Sequence, residues 1–332
     1  KGDLDHDGSV DIIVDDDSTK TIPDLVIDSG DTLVLSSDMK LPSNLVVNGT
    51  ITTDGNNFTT TGTGNVTINS DSSVTSTTFT SCGLIKLVNL DTNSTMSNLT
   101  LDSCTGLEVT GGSVDINTLT INSANSNYLN IDSNHTGTIS SITFDVDSNF
   151  STNKLIKLDT SSTTLSGDII IKSTDTSVEL NENLNIFEVS NYNETFPDVI
   201  LNSTTEFTLN STEYSIFSNI TFEGTVNCVN SSFTRDSNAN SICNVTLNGD
   251  NKTFTSMTLE SCGALILENV SDSSSITSFT NNSSPTIGLQ ITSGSVDLDT
   301  VNINDSTNEF VKLLSHSGNI NDLKLNTTQQ FN

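Results

Sequence analysis

The chain has 332 residues and a formal net charge of −30, from 41 acidic and 11 basic side chains, and it contains no Trp. Only 33% of it is apolar, too little for a thick globular core at this length. So acidic a surface repels phosphate backbones and anionic membranes, which excludes nucleic acid as a partner. No apolar run is long enough to span a bilayer in this segment. Ser, Thr and Asn exceed two fifths of the residues, a polarity that often accompanies disorder. Here, however, Ile, Leu, Val and Phe fall in short alternating runs, the pattern of half-buried strands.

In chain order, residues 2–14 come first and read GDLDHDGSVDIIV. Asp3, Asp5, Asp7, Gly8 and Asp11 stand in the order D-x-D-x-D-G-x-x-D. Alternate carboxylates on a tight loop converge on one Ca²⁺, and the glycine permits the turn that returns the fourth acid. An EF-hand needs an acid at its twelfth position, where Val14 stands. The stretch instead resembles the calcium hairpin of FG-GAP or VCBS repeats, whose loop leads into a short apolar strand, here Ile12-Ile13-Val14. That resemblance implies Ca²⁺ binding through the side chains of Asp3, Asp5, Asp7 and Asp11 and the carbonyl of Ser9. Residues 1–20 are therefore read as a calcium-loop and linker segment.

Beyond it, one short pattern recurs at a spacing near 22 residues. Four copies begin at Val74, Met96, Ile116 and Ile139, and four more at Phe254, Ile276, Leu298 and Ile320. A short unit repeated at this period signals a solenoid, because each unit buries its apolar face only by stacking on its neighbours. The spacing predicts an all-β fold, a parallel β-helix (β-solenoid) of ~22-residue rungs. A longer period lies above the rungs: the segment from Ile22 matches that from Phe196, and VTSTTFTSCG matches FTSMTLESCG, at offsets running from 174 to 182. Two long repeats follow, 21–195 and an incomplete second copy at 196–332.

Asn-x-Ser/Thr sequons occur at Asn48, Asn57, Asn65, Asn93, Asn98, Asn134, Asn149, Asn193, Asn202, Asn210, Asn219, Asn230, Asn244, Asn251, Asn269, Asn281, Asn282, Asn304 and Asn326. Several bracket an apolar residue, as in Asn57-Phe-Thr and Asn244-Val-Thr. In a strand that residue points inward while Asn and Ser/Thr point out. The expectation is a secreted, extracellular protein carrying N-linked glycans. A polar strand face of this composition also generates sequons by accident.

Of the five cysteines, Cys82 and Cys104 lie 22 residues apart, on equivalent places of consecutive rungs. One strand spacing, ~4.8 Å, falls within the Cα separation a disulfide allows. The duplication argues otherwise, since Cys262 matches Cys82 but Ser284 stands where Cys104 would. Cys228 and Cys243 are matched by Thr53 and Gly64, absent together from the first copy, which favours a Cys228–Cys243 bridge. The alternative is that all are small buried residues in a stack.

Catalysis has little support. His135 and His316 fall on the same turn of the two long copies, several rungs apart, and read as turn residues. No GxSxG, HExxH or CxxC motif is present. The segments SNLTLDSC and the GSV and GNI turns resemble right-handed parallel β-helix surface proteins of the adhesin and polymorphic outer-membrane-protein kind. The resemblance implies a surface location, with a glycan or cell-surface partner if the chain is an adhesin stalk. Polysaccharide-acting β-helix enzymes are a remote alternative. The reading reached is a non-enzymatic, extracellular structural protein whose stacked units self-associate end to end or laterally into a filament or fibre.

Overall fold

A computed structural model of the chain describes residues 24–41, 43–60, 64–122, 128–146, 155–159, 162–173, 178–180, 187–190, 192, 194–209, 213–282, 287–304 and 309–326. The fold is all-β: parallel strands stack as a β-solenoid at about 22-residue spacing. Two compact units divide it. One falls within Lys1–Asp145, Lys154–Gly167 and Phe187–Glu194, the other within Val146–Asn153, Asp168–Ile186 and Thr195–Asn332. Among the described residues no helix is long and apolar enough to cross a membrane.

In the N-terminal unit each turn of chain lays short strands on three faces. The first face stacks eight: Leu25–Ile27, Leu45–Val47, Val66–Ile68, Leu84–Val88, Gly106–Thr110, Tyr128–Ile131, Ile156–Leu158 and Phe187–Val189. Each pairs in parallel with the next, Leu45 opposite Val66 and Leu87 opposite Val109. The second face holds Thr32–Val34, Thr50–Thr52, Ser73–Thr75 and Thr95–Ser97, extended by bridges from Met96 to Ile116 and Ile116 to Ile139. The third holds Phe58–Thr60, Thr78–Thr80, Leu99–Asp102, Leu119–Asn122 and Ile142–Asp145. The four predicted starting positions therefore stack as one column: Val74 pairs with Met96, and Ile116 and Ile139 follow.

The repeated nine-residue pattern straddles a corner in this unit. Val74 is buried on the second face and Phe79 on the third, with Ser76 at φ 48° making the bend between them. Alternation then does the packing, because successive strand residues point to opposite faces. Leu99 and Leu101 are buried while Thr100 between them is not. Phe58 and Phe79, in register on neighbouring strands, stack with ring centroids 5.3 Å apart.

In the C-terminal unit the corners open and strands run on. Ile220–Arg235 is one strand of 16 residues that serves three faces in turn. Its start pairs with Val199–Ser203, its middle with Phe207–Leu209 and Lys252–Phe254, and its end with Glu213–Ile216 and Ser256–Glu260. Lys252–Glu260, Ser275–Asn282, Leu298–Asn304 and Ile320–Asn326 follow in parallel, aligning Phe254, Ile276, Leu298 and Ile320. Tyr214, Phe222, Phe233 and Phe254 are fully buried in the core, Phe222 lying edge-on to both Phe233 and Phe254.

Candidate functional site

Each unit carries a side-chain ladder at one corner, leading in the N-terminal unit into the first face and in the C-terminal unit into the strands that begin at Val199, Ile220, Val245 and Leu265. Asp24 Oδ1 accepts the main-chain N–H and the side-chain amide of Asn44 at 3.2 and 3.1 Å. Asn44 Oδ1 accepts Asn65 N–H at 2.9 Å, and Asn65 Oδ1 accepts Leu84 N–H at 2.7 Å. In the C-terminal unit Asp198 accepts the Asn219 amide at 3.0 Å, Asn219 accepts Asn244 N–H at 2.9 Å, and Asn244 accepts Ala264 N–H at 2.8 Å. Where the chain turns a corner its amides leave the strand ladder, and a short Asn or Asp side chain replaces the missing carbonyl. At the Asn244 step the ladder leaves no room for a side chain: a Cβ on Gly263 would stand 2.1 Å from Asn244 Oδ1.

All five cysteines are buried, and none is disulfide-bonded. The expected Cys228–Cys243 bridge is not made, for a reason of register. Cys228 lies opposite Leu209 and Phe254 and donates to Ser231 Oγ at 2.9 Å. Cys243 sits at the corner before Val245, where its carbonyl accepts Gly263 N–H at 2.8 Å, so its neighbour is Cys262. Burial pushes Cys228 and Cys243 up to about 11 and Cys262 up to about 12. Cys104 goes the other way, held below the usual thiol range by its hydrogen bond with Cys82.

His135 closes a turn, its N–H bonded to Asp132 O at 3.3 Å, and it is fully buried there. Nε2 lies 3.0 Å from the Val114 carbonyl and Nδ1 2.9 Å from Thr163 Oγ1. Burial holds its imidazole below the ordinary value. Its counterpart His316, on the last described rung, has neither ring nitrogen hydrogen-bonded. Lys252 is buried, donates to the carbonyls of Gly224 and Asp250, and is lowered by that burial to about 8. The sequence marks His135 only as a turn residue and does not single out Lys252, since both follow ordinary turn residues.

The expected calcium ligands Asp3, Asp5, Asp7, Ser9 and Asp11 lie outside the described residues, as do the sequons at Asn149, Asn193 and Asn210. Among the described residues no group of three or more His, Cys, Asp or Glu could hold a metal ion. Of the remaining sequons, Asn48, Asn93, Asn98, Asn134, Asn202, Asn230, Asn251, Asn269 and Asn326 are exposed. Asn65 is exposed as well, while Asn57, Asn219, Asn244, Asn282 and Asn304 are half-buried. The bracketed residues Phe58, Val66, Leu99, Ile220, Val245 and Val270 are all buried, as alternation requires. Asn281 departs from the expectation: it is buried, and its amide donates to Gly263 O and Gly288 O at 2.9 Å each. A glycan on that nitrogen has no room in the folded stack.

Outward columns run in register along the third face. Thr78, Thr100, Thr120 and Thr143 form one, and Thr80, Asp102, Asn122 and Asp145 the next. The C-terminal unit adds an asparagine row, with Asn282 donating to Glu260 Oε1, Asn304 to Asn282 Oδ1 and Asn326 to Asn304 Oδ1 at 2.6, 2.6 and 2.8 Å.

These features define a parallel β-solenoid whose distinctive groups are stacked corners, buried thiols and polar columns. Compared with protein-family models, with curated proteins and with solved structures, the chain matches none.

Proposed function

We propose that this chain is an extracellular structural protein, a glycosylated β-solenoid segment of a surface filament or fibre, with Ca²⁺ held by its N-terminal loop. The observation that carries the reading is the parallel β-solenoid itself, whose rungs stack in register within each unit. End-to-end or lateral self-association of such stacks makes a longer assembly. The periodic outward columns support a role in which repetition itself is the useful property.

Sedimentation velocity and electron microscopy of the purified protein test this. Concentration-dependent oligomers with a regular axial repeat are the expected result. Monodisperse single chains at every concentration would overturn it, and isolated particles with a distinct head would favour an adhesin stalk. Protection of residues 1–20 from protease by Ca²⁺, abolished by EDTA, checks the calcium loop. Unchanged cleavage counts against it.

A further inference from the structure

Cys82 and Cys104 hold one place on consecutive rungs of the N-terminal unit. The strands that follow them pair in parallel, Leu84 opposite Gly106, so the two cysteines, each two residues earlier, stack one strand spacing apart. That spacing, ~4.8 Å, lies inside the Cα range of a disulfide. Each follows a serine in the left-handed region, Ser81 and Ser103, both at φ 56°. The shared bend carries both side chains from the third face into the core, where each is 3% exposed. The Cys104 thiol reaches back to the earlier rung, donating to Phe79 O at 3.0 Å and meeting the Cys82 thiol in a hydrogen bond.

The geometry points to Cys82 and Cys104 as a dithiol that closes into a disulfide, a redox-formed staple across one rung of the N-terminal unit. Of the other three, Cys262 follows the same bend, Ser261 at φ 56°, and reaches Phe233 O at 3.3 Å, but its register on the earlier rung falls on Asp236 and not on a cysteine. Cys228 is turned to Ser231, and Cys243 and Cys262, though neighbours, have their thiols driven to about 11 and about 12 by burial. Cys104 is held below the ordinary thiol value, and the thiolate is the attacking species.

The oxidant required is a low-molecular-weight disulfide, R–S–S–R. The Cys104 thiolate attacks one of its sulfurs, forming Cys104–S–S–R and expelling R–S⁻. Cys82 gives up its proton and attacks the Cys104 sulfur, expelling the second R–S⁻ as the Cys82–Cys104 bond forms. Two cysteine thiols lose two protons and two electrons, and R–S–S–R becomes two R–SH. Since both thiols are buried, exchange passes through local opening of the corner.

The test incubates the folded full chain with oxidised glutathione, alkylates remaining thiols under denaturing conditions, and maps unreduced peptides by mass spectrometry. The expected product is a Cys82–Cys104 cross-link two hydrogens lighter than the two thiol peptides, with Cys228, Cys243 and Cys262 alkylated. Cys82→Ser leaves Cys104 as its mixed glutathione disulfide, and Cys104→Ser leaves Cys82 alkylated. The oxidised wild type melts at a higher temperature than the reduced form, a gain that dithiothreitol reverses and Cys82→Ser lacks. Alkylation of both Cys82 and Cys104 after oxidation of the folded chain would overturn the inference, as would a Cys243–Cys262 cross-link formed in their place.

Discussion

The side-chain oxygen of Asn219 accepts the main-chain N–H of Asn244 at 2.9 Å, joining two rungs at a corner where no strand carbonyl reaches. Asn44 makes the same bond to Asn65, at the same distance, in the N-terminal unit. Asn219→Ala leaves the Asn244 amide without its acceptor, which costs about 1–3 kcal/mol for a group shielded from water. The urea midpoint should fall accordingly, and hydrogen exchange at Asn244 should accelerate. Wild-type protection at that amide in the variant would show that the ladder contributes nothing.

The rungs were legible in the sequence and the corners were not. A 22-residue period with apolar residues at fixed places sets the register directly, and the columns Val74–Met96–Ile116–Ile139 and Phe254–Ile276–Leu298–Ile320 follow from it. The Asn and Asp residues of the corner ladders carry no comparable signal, because these residue types are scattered throughout so polar a chain. Asp24 and Asp198 differ from dozens of other acids and amides only by where the chain bends. Pairing Cys228 with Cys243 from their joint absence in the first copy overlooked register. Cys228 and Cys243 are 15 residues apart, which in this solenoid is neither the same rung position nor the next.

His135 supplies a pH dependence whose sign is fixed by burial. The Val114 carbonyl can only accept, so Nε2 carries the hydrogen in that contact. Burial lowers the folded pKa, against smaller opposing effects of the Val114 hydrogen bond and of Asp132 and Asp115. The unfolded chain therefore takes up a proton more readily, near pH 6.5. Stability from the neutral imidazole is fully present above that pH and is lost as pH falls toward the lower folded value. Urea unfolding at pH 7.5 and pH 5 should show a larger loss for wild type than for His135→Gln. Parallel losses would place the acid sensitivity elsewhere.

Lys252 acts in the alkaline range. Its folded value of about 8 lies below the ordinary 10.5 because burial disfavours the ammonium, with Asp250 and Glu223 opposing. Below pH 8 both states are charged and the burial penalty is fully present. Between about 8 and 10.5 the unfolded chain binds the extra proton, so stability rises with pH across that window. Lys252→Met should remove this rise, leaving a flatter profile than wild type. The difference between the two profiles isolates Lys252 from the other titrating groups, and identical slopes from pH 8 to 10.5 would refute the assignment.

Asn281 replaces an aliphatic side chain in the core, standing between Leu259 and Ile303 in register. Its amide bridges the carbonyls of Gly263 and Gly288, while Oδ1 has no hydrogen-bond partner. The two donor bonds outweigh the single orphaned acceptor, so Asn281→Ala should destabilise by about 1–3 kcal/mol despite removing a polar group. Asn281→Asp should be worse, since it turns a carboxylate toward two carbonyl oxygens with no donor to satisfy it. The same geometry predicts glycan occupancy in protein secreted from a eukaryotic host. Glycopeptide mapping should find sugar at exposed acceptors such as Asn48, Asn93 and Asn134 and none at Asn281. A fully folded fraction carrying glycan on Asn281 would contradict the buried placement, whereas absence of glycan everywhere would count only against glycosylation.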